Sequence, residues 1–141
     1  MADFFTHFSC VLDVGTPDNA ARTLELYQAF MEENAGEDVP SDGFLLSIQP
    51  EHGGTALWIR DEVTGDPQQV ILFVQRCAEA FDLTGRWGFQ WANTCSRPRV
   101  NAFGGGAHVL DLATRETVSW TDTNGWLARS LAPPHGKRGR R

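Results

Sequence analysis

Residues 86–95 have the sequence RWGFQWANTC, and this stretch decides the fold class. Trp87, Phe89 and Trp91 alternate with smaller or polar residues, which is the period of a β-strand with one buried face. Because three large rings on one face carry a large apolar area, the pattern predicts that they pack as core beneath helices. Two alternatives stay open for this face: a contact surface for a partner protein, and a platform on which the bases of single-stranded nucleic acid stack.

The segments around this strand predict a mixture of strands and helices. Thr16-Pro17-Asp18 and Asp66-Pro67 are typical helix starts, with a capping side chain followed by proline. The predicted elements are a strand at 4–14, a helix from Pro17 to Gly36, strands at 44–49 and 55–61, a helix from Pro67 to Gly85, and strands at 86–95, 107–112 and 117–121. This order predicts an α+β fold with a mainly antiparallel sheet and two helices packed on one face. It is the ferredoxin-like order β-α-β-β-α-β with a C-terminal hairpin added.

The chain has 141 residues and a formal net charge of -6, but the charge is unevenly distributed. A single domain is expected over residues 1–132, followed by a basic, disordered tail at 133–141. Residues 1–134 carry eight basic residues against all eighteen acidic ones, and the other four basic residues lie in the tail. Because residues 1–134 are so acidic, they repel phosphate. We therefore expect nucleic acid to bind only weakly, through the tail. Their acidity favours a basic protein partner, such as a complex that handles nucleic acid.

The sequence predicts a cytoplasmic protein that makes no contact with a membrane. It has no apolar run long enough to span a bilayer and no segment typical of a secretion signal. The three cysteines are Cys10, Cys77 and Cys95, an odd number that favours free thiols. The histidines are scattered without the close ligand spacing of a zinc site. We therefore expect neither a metal nor a cofactor, and the oligomeric state stays open.

Gly104-Gly105-Gly106 invites comparison with a phosphate-binding loop. Such a loop follows a strand and opens a helix, whereas this triplet lies between two predicted strands. It therefore predicts a close approach of two backbones, or a bulge at the start of a strand.

One set of polar residues is a candidate catalytic site. If strands 86–95 and 107–112 pair antiparallel with residue numbers summing to about 201, Asn93 faces His108 and Cys95 lies nearby. Cysteine, histidine and asparagine are the side chains of a thiol nucleophile, its base and the group that orients the base. A hydrogen-bonded structural histidine is the competing interpretation. If the protein is an enzyme, Cys95 and His108 are its predicted centre.

Three stretches together resemble a family of short, uncharacterised proteins from proteobacterial chromosomes and mobile elements. They are GFLLSIQPEHGGTALWIRD (residues 43–61), CAEAFDLTGRWGFQWANTCSRPR (77–99) and FGGGAHVLDLATRETVSWTDTNGWL (103–127). The resemblance covers residues 4–127 and transfers no site residue. It implies a bacterial cytoplasmic protein linked to phage or plasmid cargo.

The leading hypothesis is therefore a non-enzymatic protein-binding module, acting as a mobile-element accessory or as an inhibitor of host defence of the antirestriction or anti-CRISPR type. Its predicted binding residues are Trp87, Phe89, Trp91, Arg97 and Arg99. The first alternative is a small Cys/His-dependent enzyme centred on Cys95 and His108. The weaker alternative is single-stranded nucleic-acid binding through the three rings.

Overall fold

The computed structural model describes residues 3–36 and 43–133, and it has three helices and two antiparallel sheets. The helices are α1 (Pro17–Ala35), α2 (Pro67–Phe81) and α3 (Thr123–Leu131). The strands are β1 (Phe4–His7), β2 (Ser9–Asp13), β3 (Leu45–Gln49), β4 (Ala56–Arg60), β5 (Arg86–Cys95), β6 (Gly104–Asp111) and β7 (Glu116–Asp122). The predicted α+β class is confirmed. The predicted tail lies, from residue 134 onward, outside the described residues.

The strands form a large sheet in the order β1-β5-β6-β7 and a small sheet in the order β2-β4-β3. β1 and β2 are the two halves of the strand predicted at residues 4–14, which breaks at Phe8. Followed through this break, the order across both sheets is β3-β4-β2/β1-β5-β6-β7. That order is compatible with the predicted ferredoxin-like arrangement with an additional hairpin, β6–β7.

Asp61 holds the chain where the first strand changes sheets. Its Oδ1 accepts a hydrogen bond from the backbone N–H of Phe8 at 2.8 Å, and its own N–H donates to the Phe8 carbonyl at 3.2 Å. Its Oδ2 lies 2.9 Å from Nδ1 of His7. The break therefore leaves neither backbone group of Phe8 without a partner, which a buried strand requires.

The helices begin as the sequence predicts and supply much of the core. Thr16 caps α1 by accepting from the N–H of Asn19 at 3.0 Å, and Asp66 caps α2 by accepting from that of Gln68 at 2.9 Å. α2 buries an apolar stripe that consists of Val70, Ile71, Phe73, Val74, Cys77 and Ala78. The ring of Phe73 packs against the rings of Tyr27, Phe30 and Phe44.

The aromatic row of β5 belongs to this core. Phe89 is 7% exposed, and Trp87 and Trp91 are half-buried and pack against the core cluster. The ring of Phe89 lies 5.2 Å from the ring of Trp87 and 5.4 Å from that of Trp91, measured between centroids. All three rings thus contribute to the packing of the core.

Candidate functional site

The register between β5 and β6 differs from the predicted one. Phe89 pairs with His108 and Asn93 with Gly104, so the residue numbers sum to 197 and the predicted value of about 201 is wrong. The physical reason is that β6 begins at Gly104, because the glycine triplet joins the strand. The prediction began this strand at Ala107.

The new register separates the three residues of the candidate catalytic site. Cys95 lies six residues along β5 from Phe89, the residue opposite His108, and this corresponds to about 20 Å at about 3.3 Å per residue. Asn93 does not face His108, and its Oδ1 accepts a hydrogen bond from the hydroxyl of Thr6 at 2.9 Å. His108 instead bonds to Thr117, with 2.9 Å between Nε2 and Oγ1. The geometry assembles no thiol–imidazole pair from these residues.

The other two cysteines are also unsuited to nucleophilic chemistry. Burial raises the pKa of the Cys10 thiol and that of the Cys77 thiol to about 12. Because the thiolate is the reactive form, both side chains act as apolar packing groups at neutral pH.

Arg97 and Arg99, the two predicted basic binding residues, lie on the exposed loop between β5 and β6. They line an open pocket of about 320 Å³ together with Cys95, Ser96, Pro98, Ala102 and Phe103. Neither guanidinium forms an ion pair with any residue in the described part of the chain. The predicted binding set is thus divided between rings packed on the core and arginines exposed at the end of the sheet.

A groove of about 420 Å³ lies between the first turns of α2 and the inner face of the large sheet, and we call it the α2 groove. It is lined by Pro67, Gln68 and Ile71 from α2, Trp91 from β5, His108 from β6, and Thr117 and Trp120 from β7. None of these side chains carries a fixed charge. Of this set, only Trp91 and His108 are among the site residues predicted from the sequence. Among the other lining residues, Trp120 was the one that the sequence indicated, as a tryptophan in the predicted strand 117–121.

A β-bulge places the two β7 residues in the α2 groove. Trp120 pairs with His108 and Thr117 with Leu110, and the pairing shifts by one residue between Val109 and Leu110. In a regular strand, residues three apart face opposite sides of the sheet. The extra residue of the bulge brings Thr117 and Trp120 to the same side, where Thr117 meets the imidazole of His108.

The polar groups of the α2 groove are neutral at physiological pH. Burial lowers the pKa of His108 below its ordinary value of 6.5. A neutral imidazole has one donor and one acceptor nitrogen, and Nε2 is engaged with Thr117. The groove therefore combines aromatic and aliphatic walls with a few uncharged hydrogen-bonding groups, a composition typical of binding pockets.

Exposed apolar side chains concentrate toward the C-terminal elements. Within residues 3–36 and 43–133, fourteen large apolar residues are exposed, and seven of them lie from Val100 to Leu131. We define the C-terminal apolar surface as the exposed residues of β7 and α3, two elements that contact each other. It consists of Val118, Trp120, Trp126, Leu127 and Leu131. α3 has no buried residue at all, so nothing among the described residues covers its apolar side chains.

β7 is also an edge strand. Within residues 3–36 and 43–133 it pairs only with β6, on one side. Its sequence, ETVSWTD, contains neither the lysine nor the proline that protect many natural edges from pairing.

Two other kinds of site are not found in the described ranges. No group of three or more His, Cys, Asp or Glu side chains there is arranged to hold a metal ion. No described helix has both the length and the apolar character that crossing a membrane demands.

Comparison with known proteins adds no family to this geometry. No family model, no curated protein and no solved structure matches the chain. The resemblance drawn from the three sequence stretches stays a prediction.

Proposed function

We propose that this protein is a non-enzymatic protein-binding module that contacts its partner through the C-terminal apolar surface. The observation that carries the proposal is the exposure of Trp120 and Trp126, at 63% and 58%, on an edge strand and on a helix without buried residues. Exposed apolar patches on a folded chain mark interaction sites, and tryptophan is enriched among the residues that dominate binding energy.

The charge of the chain supports a basic partner. The net charge of -6 includes the four basic residues near the C-terminus, so the rest of the chain is more acidic still. An acidic protein is steered toward a basic surface and repelled from nucleic acid itself. We place this activity in the bacterial cytoplasm. There the partner is a complex that handles nucleic acid, and the protein is a mobile-element accessory or an inhibitor of host defence of the antirestriction or anti-CRISPR type.

Affinity purification from a bacterial host tests the proposal. The full chain, its Trp126→Ser variant and its Val63→Ser variant serve as baits at low and moderate salt. Val63 is the matched control, because it is 64% exposed but lies outside the C-terminal apolar surface. We expect one partner to be retained by the wild-type chain and by Val63→Ser, and to be lost with Trp126→Ser.

Two outcomes contradict the proposal. One is that no protein is retained specifically at either salt concentration. The other is that both variants retain the same partner as well as the wild type does, which places the contact elsewhere on the molecule.

A further inference from the structure

We infer that β7 binds an extended, basic segment of the partner as an additional strand, and that a large apolar side chain of this segment enters the α2 groove. The inference rests on the proposed protein-binding function and names the chemistry of the partner at that site.

The free edge of β7 supplies the backbone half of this recognition. Its outward N–H and C=O groups have no strand partner among the described residues. An extended segment that pairs with such an edge gains main-chain hydrogen bonds, while pockets for alternate side chains give specificity. All but the last of the seven residues of β7 are exposed, so a segment can approach the edge directly.

The α2 groove supplies the side-chain half. Neighbouring strands lie about 4.8 Å apart, and every second side chain points to the same face of a sheet. A strand added beside β7 therefore directs alternate side chains to the inner face, where Thr117 and Trp120 form the near wall of the groove. At about 420 Å³, the groove is near the small end of the usual range for ligand sites, about 300–1,000 Å³. It suits one large apolar side chain, held between rings and capped by neutral polar groups.

Charge at the ends of β7 selects the occupant. The strand begins at Glu116 and ends at Asp122, whose carboxylate also caps α3, and it has no basic residue between them. A second copy of the chain that paired with β7 would bring the same acidic strand ends, with no basic residue of β7 to neutralise them. A partner segment with a basic residue near each end meets complementary charges instead.

A displayed library of random seven-residue segments tests this inference. The immobilised bait is the full chain, and the selected segments are then synthesised and their affinities measured. We expect the enriched segments to carry arginine or lysine near both ends and a large apolar residue near the centre. On binding, the outward-facing amide hydrogens of β7 should exchange at least tenfold more slowly in NMR measurements.

A pair of matched variants separates the groove from the rest of the surface. Thr117→Arg places a long charged side chain in the α2 groove, and Ile48→Arg places the same side chain on β3, the edge strand of the small sheet. Both positions are exposed, so both variants should fold. We expect Thr117→Arg to weaken binding of the selected segments at least tenfold and Ile48→Arg to leave it unchanged.

Other results overturn the inference. One is the absence of any enriched pattern, and another is equal binding by both arginine variants. A third is a free chain that sediments as a dimer and whose β7 amides are already protected from exchange. If the cellular partner is lost with Trp126→Ser but retained by Thr117→Arg, the protein-binding function stands and strand addition is wrong.

Discussion

At the scale of single residues, Gly105 and Gly106 show why part of β6 could be predicted and part could not. A β-carbon at Gly105 would lie 2.4 Å from the carbonyl oxygen of Trp91, and one at Gly106 would lie 2.4 Å from its ring. The close approach predicted for the glycine triplet is therefore confirmed. That the triplet belongs to a strand, and so sets the register, depends on β5 lying beside it. No local pattern shows such a neighbour.

Substituting Gly106 tests this close approach. In Gly106→Ala the methyl group collides with the ring of Trp91 and the carbonyl oxygen of Thr121. Because overpacking costs about 1–3 kcal/mol, we expect the free energy of unfolding in urea to fall by about that amount. Gly36→Ala is the control, since its β-carbon meets nothing closer than 3.4 Å. Equal urea midpoints for the two variants would contradict the steric argument.

His108 gives the folded state a specific pH dependence. Burial lowers the pKa of His108 in the folded state below its ordinary value of 6.5. Below pH 6.5 the unfolded chain therefore binds more protons at this residue than the folded chain does. The contribution of His108 to the free energy of unfolding is full above pH 6.5 and is lost as the pH falls through the lowered pKa of the folded state. We expect the urea midpoint of the wild type to fall more between pH 7 and pH 5.5 than that of His108→Gln. Parallel pH curves for the two proteins would show that His108 titrates normally.

At the scale of secondary structure, the helix starts were the most predictable features. A capping side chain and a proline define the first turns of α1 and α2 locally, without reference to the rest of the molecule. The break at Phe8 was not predictable, because residues 4–14 keep one alternating pattern through it. The break depends on Asp61, which is distant in sequence and lies beside Phe8 only in the folded chain. The α2 groove was missed for the same reason, since three strands and a helix contribute to it.

Two helix caps of the same type should differ in their effect on stability. Asp66 caps α2, which carries six buried residues, whereas Asp122 caps α3, which carries none. Loss of a cap costs about 1 kcal/mol of helix stability. For Asp66→Ala we expect that cost in the global free energy of unfolding. For Asp122→Ala we expect faster amide exchange within α3 and an almost unchanged urea midpoint. A large global loss with Asp122→Ala would show that α3 is part of the cooperative core.

At the scale of the whole molecule, Asp61 links the small sheet to the large one. It follows β4, and its carboxylate holds His7 and Phe8 where β1 of the large sheet leads into β2 of the small sheet. Its side chain is only 12% exposed. Removing the carboxylate therefore leaves the Phe8 N–H without a hydrogen-bond partner at a partly buried position. Such an unsatisfied group costs about 1–3 kcal/mol. We expect Asp61→Ala to lower the free energy of unfolding by that amount.

A variant series separates the backbone role of Asp61 from its charge. Asp61→Asn keeps an oxygen that can accept from the Phe8 N–H and replaces only the carboxylate oxygen that faces Nδ1 of His7, so it should cost less than Asp61→Ala. Glu79→Ala removes an exposed carboxylate from α2 and serves as the control. Denaturation monitored by tryptophan fluorescence gives all three values. If Asn and Ala at position 61 cost the same, the hydrogen bond to Phe8 does not stabilise the junction.

The divided first strand also sets an order of assembly during synthesis. β2 finds its partner β4 within the first 60 residues, where Ser9 pairs with Arg60, but β1 must wait for β5, where Phe4 pairs with Cys95. The small sheet can therefore close while the chain is still emerging from the ribosome. β6, β7 and α3 follow β5 in the chain, so they are the last of the described elements to be synthesised. Exposed strand edges promote aggregation in partly folded chains. The edge of β7, which we propose binds the partner, is the last strand edge to be synthesised and is therefore exposed for the shortest time.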